Sequence, residues 1–150
     1  MNKQGNDDTF QWGALGESLG FHVRLAENAS AQIMASLLGS EKLTAAQLTA
    51  IELIGCNPGV QPGRLAKAMA LEPSNLASML RRLEAARLIR TEAGQDRRTR
   101  VVSLTSEGQQ VRADGERLIA HHQRLSTRLL SRTEKRQLIG LLQKMAAGPE

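Results

Sequence analysis

The chain has 150 residues, 41% of them apolar and 23% charged, with a formal net charge of +5 at pH 7; this is ordinary for one folded soluble domain with a real core. A lone cysteine, Cys56, excludes an internal disulfide and suits a reducing cytoplasm, and no apolar run approaches the ~18 residues of a membrane span. The opening MNKQGNDDTF lacks the apolar core of a signal peptide, so the expected place of work is the cytoplasm.

One Trp, two Phe and no Tyr leave the interior to Leu, Ala, Ile, Val and Met, a mixture that favours helices. Residues 1–9 read as a loosely held polar tail. From Gln11 to Leu38 a long helix fits, with Leu15, Leu19, Val23, Ala26, Ile33 and Leu37 near helical spacing. Gly13, Gly16 and Gly20 weaken its start, and Gly39 is a stop signal. Thr44 with Gln47 has the spacing of a capping box, opening a second helix that runs to Gly55 and the turn Asn57-Pro58-Gly59.

A third helix begins at Gln61-Pro62, where proline suits a first turn, and buries Leu65, Ala66 and Met69. A fourth begins at Glu72-Pro73 and reaches Arg87. Its apolar stripe is Leu76, Met79, Leu80 and Leu83, while Ser74, Asn75, Ser78, Arg81 and Arg82 lie on the other side. Two strands follow, Leu88–Ala93 and Arg100–Leu104, with Gly94 and Asp96 supplying the turn. A fifth helix starts at Thr105-Ser106-Glu107 and extends to about Leu130. Ser131 and Glu134 cap a sixth that carries Leu138, Ile139, Leu141, Leu142 and Met145 on more than half its circumference. So wide an apolar belt asks for a partner, and a homodimer is the economical one.

The predicted fold is mainly α with a small antiparallel β-wing. A winged helix-turn-helix at 41–105 is flanked by dimerisation helices at 11–38 and 106–147, all within one domain spanning 1–150. The charge is not evenly spread. Between Gln61 and Thr105 stand nine Lys/Arg against four acids, and the remaining eleven bases and eleven acids cancel. The whole positive excess therefore sits on the helix-turn-helix and its wing, as a phosphate-facing surface requires. No P-loop, G-x-S-x-G, H-E-x-x-H or dinucleotide fingerprint is present, so no catalytic residue and no cofactor are expected. His121 and His122 are adjacent and so face different sides of a helix, without the cluster that a metal site needs.

The stretch RRLEAARLIRTEAGQDRRTRVVSLTSEG resembles the most characteristic segment of the MarR family of bacterial transcription regulators. The matching elements are Leu83-Glu84, Ile89-Arg90, Asp96-Arg97-Arg98, and Leu104-Thr105 with Gly108. Arg87 departs from the pattern, because the family usually has glycine there, where a helix end needs positive φ. The resemblance implies a homodimeric, sequence-specific regulator on a palindromic DNA operator, a repressor released by a small-molecule effector such as an aromatic acid. A winged-helix module that works through protein contacts, without specific DNA binding, is the alternative.

In the first reading Ser74, Asn75 and Ser78 reach base edges of the major groove, and Arg81 and Arg82 reach bases or phosphates. The resemblance further implies that Arg98 enters the minor groove while Asp96 pairs with it and sets its direction. Arg64, Arg97 and Arg100 are assigned to phosphates. The resemblance also places an effector in a crevice between dimer core and reading lobe, with His22 and Arg24 of the first helix offered as its polar contacts. A plain alternative pairs those two residues with Glu17, Glu27 or solvent. Cys56 reads as structural rather than as a thiol sensor.

Overall fold

A computed structural model describes residues 10–39, 43–96 and 98–147; the predicted tail at 1–9 lies outside them. The described residues form α1 (Leu19–Leu38), α2 (Ala45–Cys56), α3 (Pro62–Ala68), α4 (Pro73–Ala85), β1 (Ile89–Ala93), β2 (Arg100–Leu104), α5 (Ser106–Ser126) and α6 (Arg132–Ala146). The mainly helical class with a two-stranded antiparallel wing is as expected.

Most predicted caps form. Thr44 Oγ1 accepts from the Gln47 N–H at 3.2 Å, and Gln47 Oε1 accepts from the Thr44 N–H at 2.9 Å. Ser131 and Glu134 make the same reciprocal pair at the start of α6. Each supplies partners for helix-end donors that would otherwise lack them. The first helix differs from its expected bounds. The glycines break it into a 3₁₀ turn at Gly13–Glu17, and α1 proper starts behind Ser18, whose Oγ accepts from Phe21 N–H. The fifth helix is shorter than expected. It stops at Ser126, where Thr127 Oγ1 donates to the Gln123 carbonyl at 2.6 Å, a local bond that competes with continued helix.

The core belongs to the middle of the chain. Ile51, Ile54, Leu65, Leu76, Leu83 and Val102 are its largest fully enclosed side chains. Met79, assigned to the α4 stripe, packs half-buried against them. α2 is apolar on most sides because α1, α3, the wing and α5 pack around it. The wing pairs Ile89 with Leu104 and Ala93 with Arg100 at its two ends. Its base gains a further bridge, since Val102 N–H donates to the Val60 carbonyl and Gly59 N–H to the Val102 carbonyl.

α5 approaches this lobe through two glycines seven residues apart. A Cβ on Gly108 would collide with the Leu88 carbonyl, and one on Gly115 with the Leu48 side chain. A side-chain cluster pins the same pair of helices. Arg112 grips Glu52 of α2 with both ends of its guanidinium, at 3.1 and 3.2 Å, and reaches Glu116 at 3.2 Å. The Cys56 thiol donates to Glu52 Oε1 and accepts from Arg112. Hydrogen bonding to Glu52, more than desolvation, pushes the Cys56 thiol up, which keeps it protonated and poorly nucleophilic. The histidine pair divides as expected: His122 Nε2 lies 3.1 Å from Ser30 Oγ and 3.0 Å from the Ser30 carbonyl of α1, while His121 is exposed.

At the end of α4, Arg87 takes φ +61°. Leu88 N–H donates to the Leu83 carbonyl and Arg87 N–H to the Glu84 carbonyl, the two bonds of a Schellman end. The left-handed turn expected of glycine is therefore built with arginine. Relieving that conformation outweighs the extra freedom that glycine gives the unfolded chain. Arg87→Gly is accordingly expected to stabilise the fold by about 0.5–1 kcal/mol, read as a melting temperature higher by about 2–4 °C.

The hydrogen bonds from Arg112 hold the Glu52 carboxyl below its ordinary 4.5. A depressed folded value means that this tie contributes fully above the unfolded value and is lost as pH falls through the folded one. Glu52→Gln is expected to cost about 1 kcal/mol at neutral pH. In urea titrations across pH, the difference from the parent should shrink as the pH falls below the ordinary carboxylate range; a difference that stays constant there would contradict it.

Candidate nucleic-acid interface

α4 exposes a polar line opposite its buried one. Ser74, Ser78 and Arg81 follow each other at four and three residues, so they share a face turned away from Leu76, Leu80 and Leu83. Ser74, Asn75 and Arg81 are exposed and Ser78 is half-buried. Glu72 makes no side-chain cap. The N-cap position is thus held by Glu72 and not by a serine, and Ser74 stands at the surface.

Arg81 meets the wing. Together with Arg100, Thr91 and Glu84 it lines a shallow depression of about 310 Å³ whose floor comes from α3 and α4. Glu84 Oε1 accepts from Thr91 N–H at 3.2 Å, tying the last turns of α4 to β1. Arg64 is exposed on α3, near the same depression that Gly63 helps to line. Within the basic segment Arg90 is ion-paired to Glu92 at 2.9 Å. Among the described residues, Arg64, Arg81, Arg98 and Arg100 have no ion-pair partner. Four cations from α3, α4 and the wing are thus left for an external anion.

At the wing tip one expected contact takes a different form. Asp96 Oδ1 accepts from the backbone N–H of Arg98 at 3.0 Å, and among the described residues there is no Asp96–Arg98 ion pair. The carboxylate shapes an Asx turn, closed by Thr99 N–H and Oγ1 on the Asp96 carbonyl. It sets the backbone at Arg98 and leaves the guanidinium without a partner among the described residues. Arg97 lies outside the described residues.

A larger cleft of about 1190 Å³ lies on the other side of α4, walled by the end of α1, the start of α2, the end of α4 and the middle of α5. Neither His22 nor Arg24 lines it. His22 Nε2 sits 2.8 Å from the Gly16 carbonyl, and the Arg24 guanidinium lies 5.3 Å above the Phe21 ring. His22 therefore braces the turn before α1, and Arg24 packs within α1 itself. Arg82, the sequence neighbour of Arg81, lines this cleft instead. The step of ~100° between consecutive helical residues carries it round from the Ser74–Ser78–Arg81 line.

A helix-turn-helix with an attached two-stranded wing and an unpaired basic face defines the winged-helix class. Known proteins narrow it. Residues 41–99 match the model of the MarR family. Over 135 residues the chain is 30% identical to a protein of Thauera aromatica described as a transcriptional regulatory protein for the hcr operon, covering 89% of this chain and 81% of that one. The transcriptional repressor CouR, solved bound to a 23-mer DNA duplex, superposes with a TM-score of 0.83 at 27% identity, covering 91% of this chain and 98% of CouR. BpsR of Bordetella bronchiseptica, studied for the regulation of its DNA binding by 6-hydroxynicotinic acid, gives 0.83 at 23% identity over 89% and 96% of the two chains. The chain belongs to the MarR family of transcriptional regulators, and it is not an enzyme. No helix among the described residues is long and apolar enough to cross a membrane.

Removing the turn-forming carboxylate should loosen the wing without touching the lobe core. Asp96→Ala is expected to speed amide exchange at residues 94–99 while leaving that of α2 and α4 unchanged. Exchange that accelerates evenly across the lobe would show that Asp96 supports the fold instead.

Proposed function

We propose that this protein is a homodimeric, sequence-specific DNA-binding regulator, working in the cytoplasm as a repressor whose hold on its operator is lowered by a small-molecule effector. The observation that carries the DNA reading is that Arg64, Arg81, Arg98 and Arg100, on α3, α4 and the wing, are exposed and without ion partners among the described residues. Ser74, Asn75 and Ser78, on the first turns of α4, address base edges in the major groove. Arg98 at the wing tip enters the adjacent minor groove. Arg64, Arg97 and Arg100 hold phosphates, supplying affinity and salt sensitivity but no sequence information. CouR bound to its duplex supports this assignment by likeness. A module that acts through protein contacts alone has no use for this arrangement of free cations.

The dimer reading rests on the long helices. Among the described residues no side chain of α1 or α6 is buried; Leu19, Leu141 and Ile139 are 64, 62 and 49% exposed, and Leu129, between α5 and α6, is 80% exposed. An apolar surface of that extent needs cover, and two copies related by a twofold axis would set their α4 helices about one DNA turn apart on a palindrome. The effector reading rests on the cleft between α4 and α5, and BpsR supports it by analogy.

In a mobility-shift titration at fixed salt against the DNA upstream of the protein's own gene, Arg98→Ala should weaken binding at least about tenfold, or 1.4 kcal/mol. Unchanged affinity would remove Arg98 from the interface, and no specific shift by the parent would favour the protein-contact module. For the oligomer, Leu138→Glu combined with Leu142→Glu should convert a dimer to a monomer in sedimentation equilibrium. A parent that sediments as a monomer at micromolar concentration would refute the dimer.

A further inference from the structure

Resting on the reading of a DNA-binding regulator, we propose that the corner between α5 and α6 is a second DNA surface. It holds the phosphate backbone of another duplex while the reading lobe holds the operator. Four arginines stand there at every fourth position, Arg124, Arg128, Arg132 and Arg136. All four are exposed, and none has an ion-pair partner among the described residues. From Leu118 to Arg136 the chain holds five bases and one acid. That acid, Glu134, is committed to the Ser131 N–H at 2.7 Å in the α6 cap. The charge balance outside the wing therefore conceals a basic stretch, offset by acids elsewhere in the chain.

Neither helix stability nor assembly accounts for these side chains. Arg132 opens α6, where the helix dipole disfavours a cation. Nine residues separate Arg132 from Leu141 and Arg136 from Met145, which at ~100° per residue puts them on opposite sides of the helix. A second copy that covers Leu141 and Met145 therefore leaves both arginines in water. Arg124 lies in the last turn of α5, eighteen residues beyond Ser106. That places it roughly 27 Å along the helix from the base of the wing. The distance exceeds the reach of an arginine side chain, so the corner meets a different anion from the one under α4.

The form of the surface selects the partner. None of the four arginines lines either cleft, so the corner lacks the concavity that a small anion needs. No aromatic residue follows Phe21 in the chain, so nothing at the corner stacks an unpaired base, which sets single strands aside. A guanidinium meets two phosphate oxygens at once, and four on a convex corner fit an anion of dense, repeated charge. Duplex DNA carries one charge per ~1.7 Å of its axis and needs no pocket to be held. Such a contact carries no sequence information. Four phosphates bind weakly by themselves, but DNA beside an operator is present at high local concentration. One protein thereby joins two DNA segments.

The test saturates bead-bound operator duplex with the full-length protein and adds a fluorescent duplex that lacks the operator. The parent should retain the second duplex, with log affinity falling against log salt at a slope of about −3.6 for four phosphates. Arg→Gln at all four positions should cut retention at least about tenfold, with operator Kd, melting temperature and sedimentation as in the parent. Arg132→Gln with Arg136→Gln alone should lower retention about threefold or more and roughly halve the slope. Arg→Lys at all four positions should keep the slope, since the charge persists. Retention kept in the fourfold glutamine variant overturns the location. Operator-loaded beads that retain no second duplex overturn the bridge, whereas a parent that fails to load onto operator removes the regulator reading itself. Polyglutamate that competes as well as an equal charge of duplex overturns the partner class, as does binding to phosphatidylglycerol vesicles in place of duplex.

Discussion

Everything that must keep a fixed angle in this protein meets at the backbone of Leu88. Its N–H closes the end of α4 on the Leu83 carbonyl, and its carbonyl accepts from Thr105 N–H at 3.1 Å. Thr105 Oγ1 donates to the Arg87 carbonyl at 2.6 Å and accepts from the Gly108 N–H, which caps α5. Gly108 rests against the Leu88 carbonyl with no room for a side chain. Reading helix, wing and long helix are thus joined by short backbone bonds within one turn. Flexible side chains contribute little there, and rigidity at this junction lets a displacement of α4 be felt along α5.

Two kinds of surface then divide the protomer. The lobe from Leu48 to Leu104 encloses its own large side chains, so it can hold α4 and the wing steady against a ligand as stiff as DNA. The long helices do the reverse and leave their leucines bare. The Arg112–Glu52 pair and the close approach at Gly115 join these two regions across α2 and α5, beside the cleft. The lobe and the long helices are thus joined at two places, the Leu88–Thr105–Gly108 junction and the α2–α5 contact.

Local chemistry made much of this readable beforehand. The Thr44 and Ser131 boxes, the prolines opening α3 and α4, and the α4 stripe are short-range patterns, and each forms where expected. The family pattern puts glycine at position 87, and the backbone keeps the left-handed turn there although arginine occupies it. What stayed hidden depends on tertiary neighbours. Nothing in the text of the chain shows that Val60 bridges to Val102, or that Arg112 reaches back sixty residues to Glu52. Arg81 and Arg82 look equivalent in sequence, and only the flanks of α4 send one toward the wing and the other into the cleft. The Asp96 carboxylate was expected on a guanidinium and binds a backbone N–H, a choice made by loop geometry. His22 and Arg24 were drawn from a helix face whose partners are a carbonyl and a ring within the same segment.

The scarcity of aromatic residues has a spectroscopic consequence. Phe10, Trp12 and Phe21 cluster before and at the start of α1, with ring centroids 4.8 and 5.2 Å apart along the series. With no tyrosine and a single tryptophan in the chain, near-ultraviolet absorption and intrinsic emission come almost entirely from Trp12. The reading lobe is optically silent. Any change in emission when DNA or a small molecule is added therefore reports on the segment leading into α1, so the protein carries a natural optical probe far along the chain from its wing.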